Sequence, residues 1–532
     1  MKLHFFGADQ CVTGSCHCLE VNGKRILIDC GLQQGRDEVD NSSLPFHAGN
    51  IDYVLVTHAH IDHTGRIPML VKQGFRGRIL TTRLTAQLMD IMLQDSAHIQ
   101  ESDAEYKNRK NLRAGRPVVE PLYTVEDALQ VKEFITTCEY GETVDLCEGV
   151  QVECIDAGHL LGSASMKLTV TENGETRTIV FSGDIGNVDQ PIIRDPQFFH
   201  QADFVVMEST YGNRNHTEVW SYTDELAQII DETLGNGGNV VIPSFAVGRT
   251  QELLYFIRQI KDENLVKSVP NFNVYVDSPL SKAATTIFCG DLRGYLDEAA
   301  LELVQDGTHM FNFTNLRMTE TVDESKNLNL DPSPKVIISA SGMCDAGRIR
   351  HHLKHNLWRR ENTILFVGYQ AKNTLGRALF DGAKRVRLFG EDIQVNAHIK
   401  SLAGISGHAD VDGLIRWLQY FSPKPRLVFV QHGEAQVCEQ FAERLRTQLH
   451  YAAEAPYSGS SYDLLNGAWA HLHPPVLVPV RRGKQKPSPA MARLKAALQR
   501  LTDLVEKSQG RANKDLARLA DRIQELCDKW EK

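Results

Sequence analysis

At 532 residues the chain exceeds what one ordinary hydrophobic core supports, and two domains plus extras are expected. Hydrophobic and charged fractions of 42% and 23% are those of a globular protein, and no apolar run approaches the about 20 residues of a membrane span. A net charge of −9 argues against coating nucleic acid by bulk electrostatics, while leaving room for a local basic groove or bound cations. The opening MKLHFFGADQ lacks a basic region followed by an apolar stretch, so no secretion signal and no membrane partner are expected. Eleven cysteines, an odd number, speak against a full disulfide framework and for a reducing cytoplasm.

In chain order, KLHFFG, CHCLEV, RILIDCG and DYVLVTH read as short strands bounded by turns. Residues 84–110 carry apolar positions at helical spacing. Strands return in VQVECIDAG, SMKLTV, RTIVFSGD and DFVVMEST, which together suggest a layered α/β domain. After Gly212 the pattern changes: NVVIPSF, NVYVDSP, KVIISASG and TILFVGY are continuous apolar runs between helical segments. Such runs read as a doubly wound parallel sheet covered on both faces. Strands are expected again near VRLFGEDIQVNAHI, and RLVFVQHGE follows a helix. The expected boundaries are 1–211 and 381–462 for the split first domain, 212–380 for the inserted one, 463–489 for a linker, and 490–532 for a helical extension. In that extension Leu494, Leu498, Leu501, Leu504 and Leu516, Leu519, Ile523, Leu526 recur at helical spacing, with Gly510 at a turn.

The stretch THAHIDHTG places His58, His60, Asp62 and His63 within six positions. Imidazole and carboxylate groups suit zinc or a similar divalent ion. On a strand end His58 and His60 would point the same way, with Asp62 and His63 on the loop beyond, turned towards a second ion. His159 in DAGHLLGS, Asp184 in IVFSGDIGN and His432 in LVFVQHGE each end an apolar run, and a carboxylate at 184 can bridge two cations. Singly each is more often a turn residue; together they supply the missing ligands.

These motifs, with Asp29 in ILIDCG, resemble the metallo-β-lactamase-fold hydrolases. ESTYGNRNH, PSFAVGRTQE, SASGMCDAGR and SGHAD resemble its β-CASP branch, which acts on nucleic acids and includes RNase J and the pre-mRNA 3′-end processing endonuclease. The likeness is strongest to short prokaryotic members and covers about residues 1–460. It implies a four-layered αββα domain with an inserted β-CASP domain. It further implies a first zinc held by His58, His60 and His159, a second held by Asp62, His63 and His432, and Asp184 bridging them. Asp29 would orient ligands from behind. A histidine at position 432 goes in this branch with RNA rather than DNA.

Two metal ions about 3.5–4 Å apart can generate a hydroxide and stabilise charge at phosphorus. The leaving oxygen needs a proton, for which His408 is the candidate donor, polarised by Glu208; these two and Asp62 form the expected catalytic set. Ser244 and Arg249 in PSFAVGRTQE, and Ser341, Gly342, Met343 and Arg348 in SASGMCDAGR, are candidate phosphate-binding positions at Gly-containing loops before helices. Cys16 and Cys18 alternate onto one face of a strand and read as core. HHLKH at 351–355 reads as an exposed helical face, and RRGKQK at 481–486 as a solvated linker that can also touch RNA.

The resulting expectation is a zinc ribonuclease acting on single-stranded RNA, endo- and in part exonucleolytic, with a homodimer as one assembly. The rivals are a small-molecule thioester or lactam hydrolase of the same fold and a non-catalytic RNA-binding protein. The first would not need Glu208, His408 or the insert, and the second would be expected to have lost ligands.

Overall fold

Alternation in KLHFFG turns Leu3 and Phe5 fully inward while His4 and Phe6 stay half-buried. The strand Lys2–Gly7 pairs antiparallel with Cys16–Val21, which pairs with Lys24–Ile28. Parallel additions of Tyr53–Leu55, Arg78–Thr82 and Ile135–Cys138 extend this sheet on one side. On the other side it continues through Ser461–Asp463 and Ala468–His471, giving eight strands. The computed structural model describes residues 1–34, 41–217, 221–307, 309–371, 373–402, 406–474, 497–498, 500–502, 504–508 and 513–530.

A second sheet of seven strands runs in the order Ala453–Glu454, Leu427–Val430, Phe204–Met207, Glu175–Phe181, Ala164–Glu172, Val150–Asp156, Thr143–Cys147. The two sheets bury their inner faces against each other through Leu3, Phe5, Leu19 and Ile26 on one side and Met166, Leu168, Phe181 and Phe429 on the other. The alternate residues face outward onto helices. Leu27 and Val54 meet the helices Ile67–Lys72 and Arg83–Arg113. Val180, Val205 and Val428 meet Val411–Gln419 and Ala435–Thr447. Helices thus cover the outer face of the central strands of each sheet, which is the expected αββα arrangement, while the edge strands Thr143–Cys147 and Ala468–His471 stay partly exposed.

The inserted unit is a six-stranded, all-parallel sheet ordered Leu316–Met318, Asn273–Val276, Lys335–Ser339, Val240–Pro243, Thr363–Phe366, His398–Ser401. Along Val240–Pro243 the side chains alternate between two cores: Val240 and Ile242 face Leu253, Leu254 and Ile257, while Val241 faces Ile349 and Leu353. Continuous apolar runs are therefore what a sheet covered on both faces requires.

The structure moves two of the expected boundaries. The sixth strand of the inserted sheet, His398–Ser401, lies past position 380, beyond the hairpin Arg385–Leu388 and Glu391–Gln394. As an edge strand it carries polar residues and lacks the apolar signature of its neighbours. At the other end, residues 463–471 are sheet rather than linker. Trp469 packs on Phe5, Phe429 and Tyr462, an aromatic cluster that outweighs the weak local pattern.

The chain divides into two compact units, Met1–Pro474 and Pro475–Lys532. In the second, the helix Asn513–Trp530 carries Leu516, Leu519 and Ile523 half-buried among exposed neighbours. RRGKQK at 481–486, Leu494 and Gly510 lie outside the described residues. Among the described residues no helix is long and apolar enough to cross a membrane.

Candidate active site

The strand Tyr53–Leu55 stops two residues before the histidine cluster, because Thr57 turns its backbone N–H onto Asp29 Oδ1 at 2.9 Å. His58 and His60 therefore stand on the loop beyond the strand and not on its end, while Asp62 and His63 lie in the helical turn Ile61–Thr64. His58 and His60 are nonetheless side by side, with Nε2 and Nδ1 3.0 Å apart. The loop rests on Gly31. A Cβ there would stand 1.6 Å from the Asp62 carbonyl oxygen and 2.9 Å from the His63 nitrogen, all backbone that cannot rotate away. We expect Gly31→Ala to dislodge this turn, lowering both metal content and thermal midpoint. Native metal content in the variant would show that the loop yields.

Loops at the ends of the second sheet's strands deliver the remaining groups. His159 follows Val150–Asp156, and its N–H and that of Leu160 both donate to Ser163 Oγ at 3.1 Å. Asp184 follows Glu175–Phe181 and His432 follows Leu427–Val430. Asp29 and His432 both occupy the left-handed region, at φ 59° and 49°. This conformation is uncommon for residues other than glycine and concentrates at functional sites. It is held at His432 by its N–H donating to the Ala8 carbonyl at 2.8 Å and its own carbonyl accepting from Ser209 at 3.2 Å.

Two ligand clusters result. His58, His60, His159 and Asp184 bring one donor atom each within 4.8 Å of the others, and Asp62, His63 and His432 do the same. Asp184 stands between them. Its Oδ2 lies 3.5 Å from His58 Nε2 and 3.6 Å from His159 Nε2, and its Oδ1 lies 3.3 Å from His63 Nε2 and 3.6 Å from His432 Nδ1. Burial, reinforced by the crowding of imidazoles, pushes His58 and His159 well below the ordinary histidine range, and burial likewise lowers His60. The shift favours the neutral rings, whose lone pairs a cation requires. Burial works against the charged form of His63 too, yet Asp184 and Asp29 outweigh it and raise that ring well above its usual value.

The residues fit a metal. Asp184 Oδ1 is buried without a hydrogen-bond partner, and His60 Nδ1 faces His58 Nε2 and His159 Nε2 at 3.0 and 3.2 Å with too few protons to satisfy all three. A cation satisfies both defects at once. The outer contacts are in place: His63 Nδ1 meets Asp29 Oδ2 at 2.7 Å, and His159 Nδ1 meets the Gly407 carbonyl at 2.6 Å. Such partners fix the tautomer and the ring direction. Thr57, whose hydroxyl reaches Asp29 Oδ2 at 3.0 Å and His58 Nδ1 at 3.2 Å, belongs to this layer. Its place just before the first histidine was the available signal for it.

Glu208, fully buried at the end of Phe204–Met207, accepts from the Ile185 N–H at 2.5 Å and faces His408 Nδ1 at 3.1 and 3.2 Å. Burial alone would lower the His408 pKa; the Glu208 carboxylate overrides it and raises it to about 9. Asp184, Glu208 and His408 are also mutually close, so proximity by itself does not exclude His408 as a ligand. What sets it apart is that Glu208 occupies its Nδ1. His216 Nε2 lies 2.9 Å from the His408 carbonyl oxygen and ties the loop in place, a contact across 192 residues that no spacing rule reveals.

The six candidate phosphate positions fare differently. Gly342 sits beneath the half-exposed Phe245, where a Cβ would come within 3.2 Å of its ring and nitrogen. Ser341 Oγ and Met343 Sδ are engaged locally, with the Ala346 carbonyl and the Ala371 N–H. Ser244 is buried, and its hydroxyl donates to the Phe245 carbonyl at 3.1 Å. Arg249 is ion-paired with Glu252. Arg348 donates at 2.7 Å both to Asp277 Oδ1 and to the Glu320 carbonyl, so its guanidinium ties together the loops that follow Asn273–Val276 and Leu316–Met318. Asp277 also receives Ser325 and lies 2.6 Å from His352 Nε2. His352 is therefore a core residue, correcting the reading of 351–355 as a wholly exposed face; His351 and His355 alone are exposed. Cys16 and Cys18 are buried as expected.

Comparison with known proteins agrees with this architecture. The beta-lactamase superfamily domain matches residues 24–233, the Beta-Casp domain 250–379, and the Zn-dependent metallo-hydrolase RNA specificity domain 392–456. Ribonuclease TTHA0252 of Thermus thermophilus is 37% identical over 82% of this chain and 93% of its own length. Transcription termination factor FttA of Methanosarcina mazei is 30% identical over 86% of this chain and 70% of its own, and that of Methanocaldococcus jannaschii 29% over 84% and 69%. The chain belongs to the prokaryotic β-CASP ribonucleases of the metallo-β-lactamase fold.

Proposed function

We propose that the chain is a two-zinc ribonuclease that hydrolyses single-stranded RNA to 5′-phosphate and 3′-hydroxyl ends. The observation that carries this reading is Asp184, whose two oxygens each face a separate pair of histidines, with Glu208 and His408 close beside it. His58, His60, His159 and Asp184 would hold one ion, and Asp62, His63, His432 and Asp184 the other. When bound, a pair of divalent ions supplies a nucleophile at neutral pH and offsets charge on the phosphoryl oxygens.

The protein's own groups do the rest. Asp29 and the Gly407 carbonyl fix ligand rings. Glu208 occupies His408 Nδ1, which leaves Nε2 to donate a proton to the departing 3′-oxygen. Expulsion of that oxygen leaves the phosphate on the 5′ side of the downstream fragment. Gly342 and Phe245 line the inserted domain's rim, while the guanidinium groups of Arg249 and Arg348 are spent on internal carboxylates. A lactam or thioester hydrolase has no use for the Glu208–His408 pair, and a non-catalytic RNA binder has no use for seven converging ligands. We take the helical extension from position 490 as supplying no catalytic group.

An RNA carrying terminal and internal labels tests the reading. Products with 5′-phosphate and 3′-hydroxyl ends are expected, formed with zinc and not after chelation. Cyclic or 3′-phosphate ends, or chelator-resistant cleavage, would refute it.

A further inference from the structure

Strand ends from both sheets deliver aromatic residues to the side of the site on which His408 stands. Tyr211 lies beyond Phe204–Met207, and its ring centroid is 6.3 Å from that of His408. Arg214, exposed, lays its guanidinium over the Tyr211 ring at 4.6 Å and within 5.8 Å of the Tyr369 ring. Tyr369, beyond Thr363–Phe366 in the inserted domain, stands edge-on to Tyr211 at 6.4 Å and 77°. Its hydroxyl reaches Glu434 at 3.5 Å, yet 38% of the residue remains exposed.

The direction of proton donation assigns a substrate part to this patch. His408 can protonate the leaving 3′-oxygen only if the nucleoside bearing that oxygen lies on the His408 side of the ligand clusters. That is the side of Tyr211, Arg214 and Tyr369. A flat base arriving there meets a ring already oriented by Glu434 and a guanidinium already flattened on tyrosine. The N–H edges of a stacked guanidinium remain available to a phosphate.

Resting on the ribonuclease reading, we propose that Tyr369 stacks the base of the nucleoside whose 3′-oxygen leaves, and that Arg214 holds an adjacent phosphate. Every base has a π-face, so this subsite selects single-stranded, unstacked RNA with little preference among bases. A purely structural latch between the two domains would use the same contacts without touching RNA.

The test pairs substrate and protein variants, using one RNA with a mapped cleavage bond and the same RNA abasic at the nucleoside 5′ to that bond. Wild-type enzyme should lose about 5- to 150-fold in kcat/KM on the abasic RNA, the range that one base–aromatic stack carries. Tyr369→Ala should lose a similar factor on the intact RNA and little more on the abasic one, and Tyr369→Phe should retain most activity. An abasic nucleoside on the 3′ side of the bond should leave the Tyr369→Ala effect undiminished. Equal losses of Tyr369→Ala on both RNAs, or wild-type indifference to the missing base, would overturn the stacking assignment while leaving the ribonuclease reading intact. If wild-type enzyme cleaves neither RNA, that reading falls and this one with it.

Discussion

His408→Ala is expected to slow RNA cleavage by about 10²–10⁴-fold, the usual contribution of a positioned acid or base, while the protein keeps its full metal content. The expectation rests on the division of labour at the imidazole. Its Nδ1 is engaged by Glu208, and its nearest approach to Asp184 is 4.0 Å, longer than that of the four histidines facing that carboxylate. Glu208→Gln should slow the reaction in the same direction. With the carboxylate gone, burial prevails and the ring loses its proton at lower pH, so the alkaline limb of the rate profile should move down. Because the two side chains act as one unit, the double variant should be little worse than His408→Ala alone. An RNA analogue with a better leaving group than the 3′-oxygen needs less protonation and should restore much of the loss. Metal loss in His408→Ala, or no rescue by the analogue when chemistry limits the rate, would make His408 a ligand or a structural residue.

Asp184→Asn should have the larger effect, reducing cleavage below detection. Wild-type protein reconstituted with zinc should hold about two ions per chain, as dinuclear phosphodiesterase sites do. Asp184 belongs to the first cluster and faces His63 and His432 of the second, and its carboxylate is held below its usual range against burial by His432, His63 and His58. An amide keeps the shape and one oxygen but removes the charge that a pair of close cations requires. Elemental analysis of the variant should therefore show fewer than two ions. A ligand that binds only the folded state at 100 times its dissociation constant stabilises it by about 2.7 kcal/mol. Zinc should accordingly raise the thermal midpoint of the wild type, and this rise should shrink in Asp184→Asn. A variant that retains two ions and cleaves RNA would remove Asp184 from the bridging position.

The layers and the candidate ligands were legible in the order of residues. Alternating runs such as KLHFFG and unbroken ones such as NVVIPSF differ because the strand Lys2–Gly7 keeps alternate side chains only half-buried, whereas Val240–Pro243 is packed against an apolar core on each face. A packed core imposes that pattern locally, residue by residue. Metal-capable side chains at strand ends were legible for a related reason: four histidine and aspartate residues in six positions have no use in a hydrophobic core. The conformation of that stretch was not legible, since the helical turn at 61–64 is packed against the segment beyond Lys24–Ile28, where Cys30 and Leu32 donate to the His63 and Ile61 carbonyls and Gly31 leaves no room for a Cβ.

Which cationic side chains are tied to internal carboxylates emerges only from the packing of distant segments. Arg348 reads as a phosphate ligand beside a glycine loop, yet Asp277, just past the strand Asn273–Val276 and 71 positions away, claims it. His352 lies in a stretch that reads as an exposed helical face, yet it is buried with its ring against the same aspartate. Conversely, nothing local marked Tyr211, Arg214 and Tyr369 as neighbours, or Trp469 as a sheet residue. Pairings across long sequence separations depend on how two sheets and an inserted domain meet. Local propensity carries no record of that meeting, because its energy comes from burial and hydrogen bonds that form only once the elements have packed.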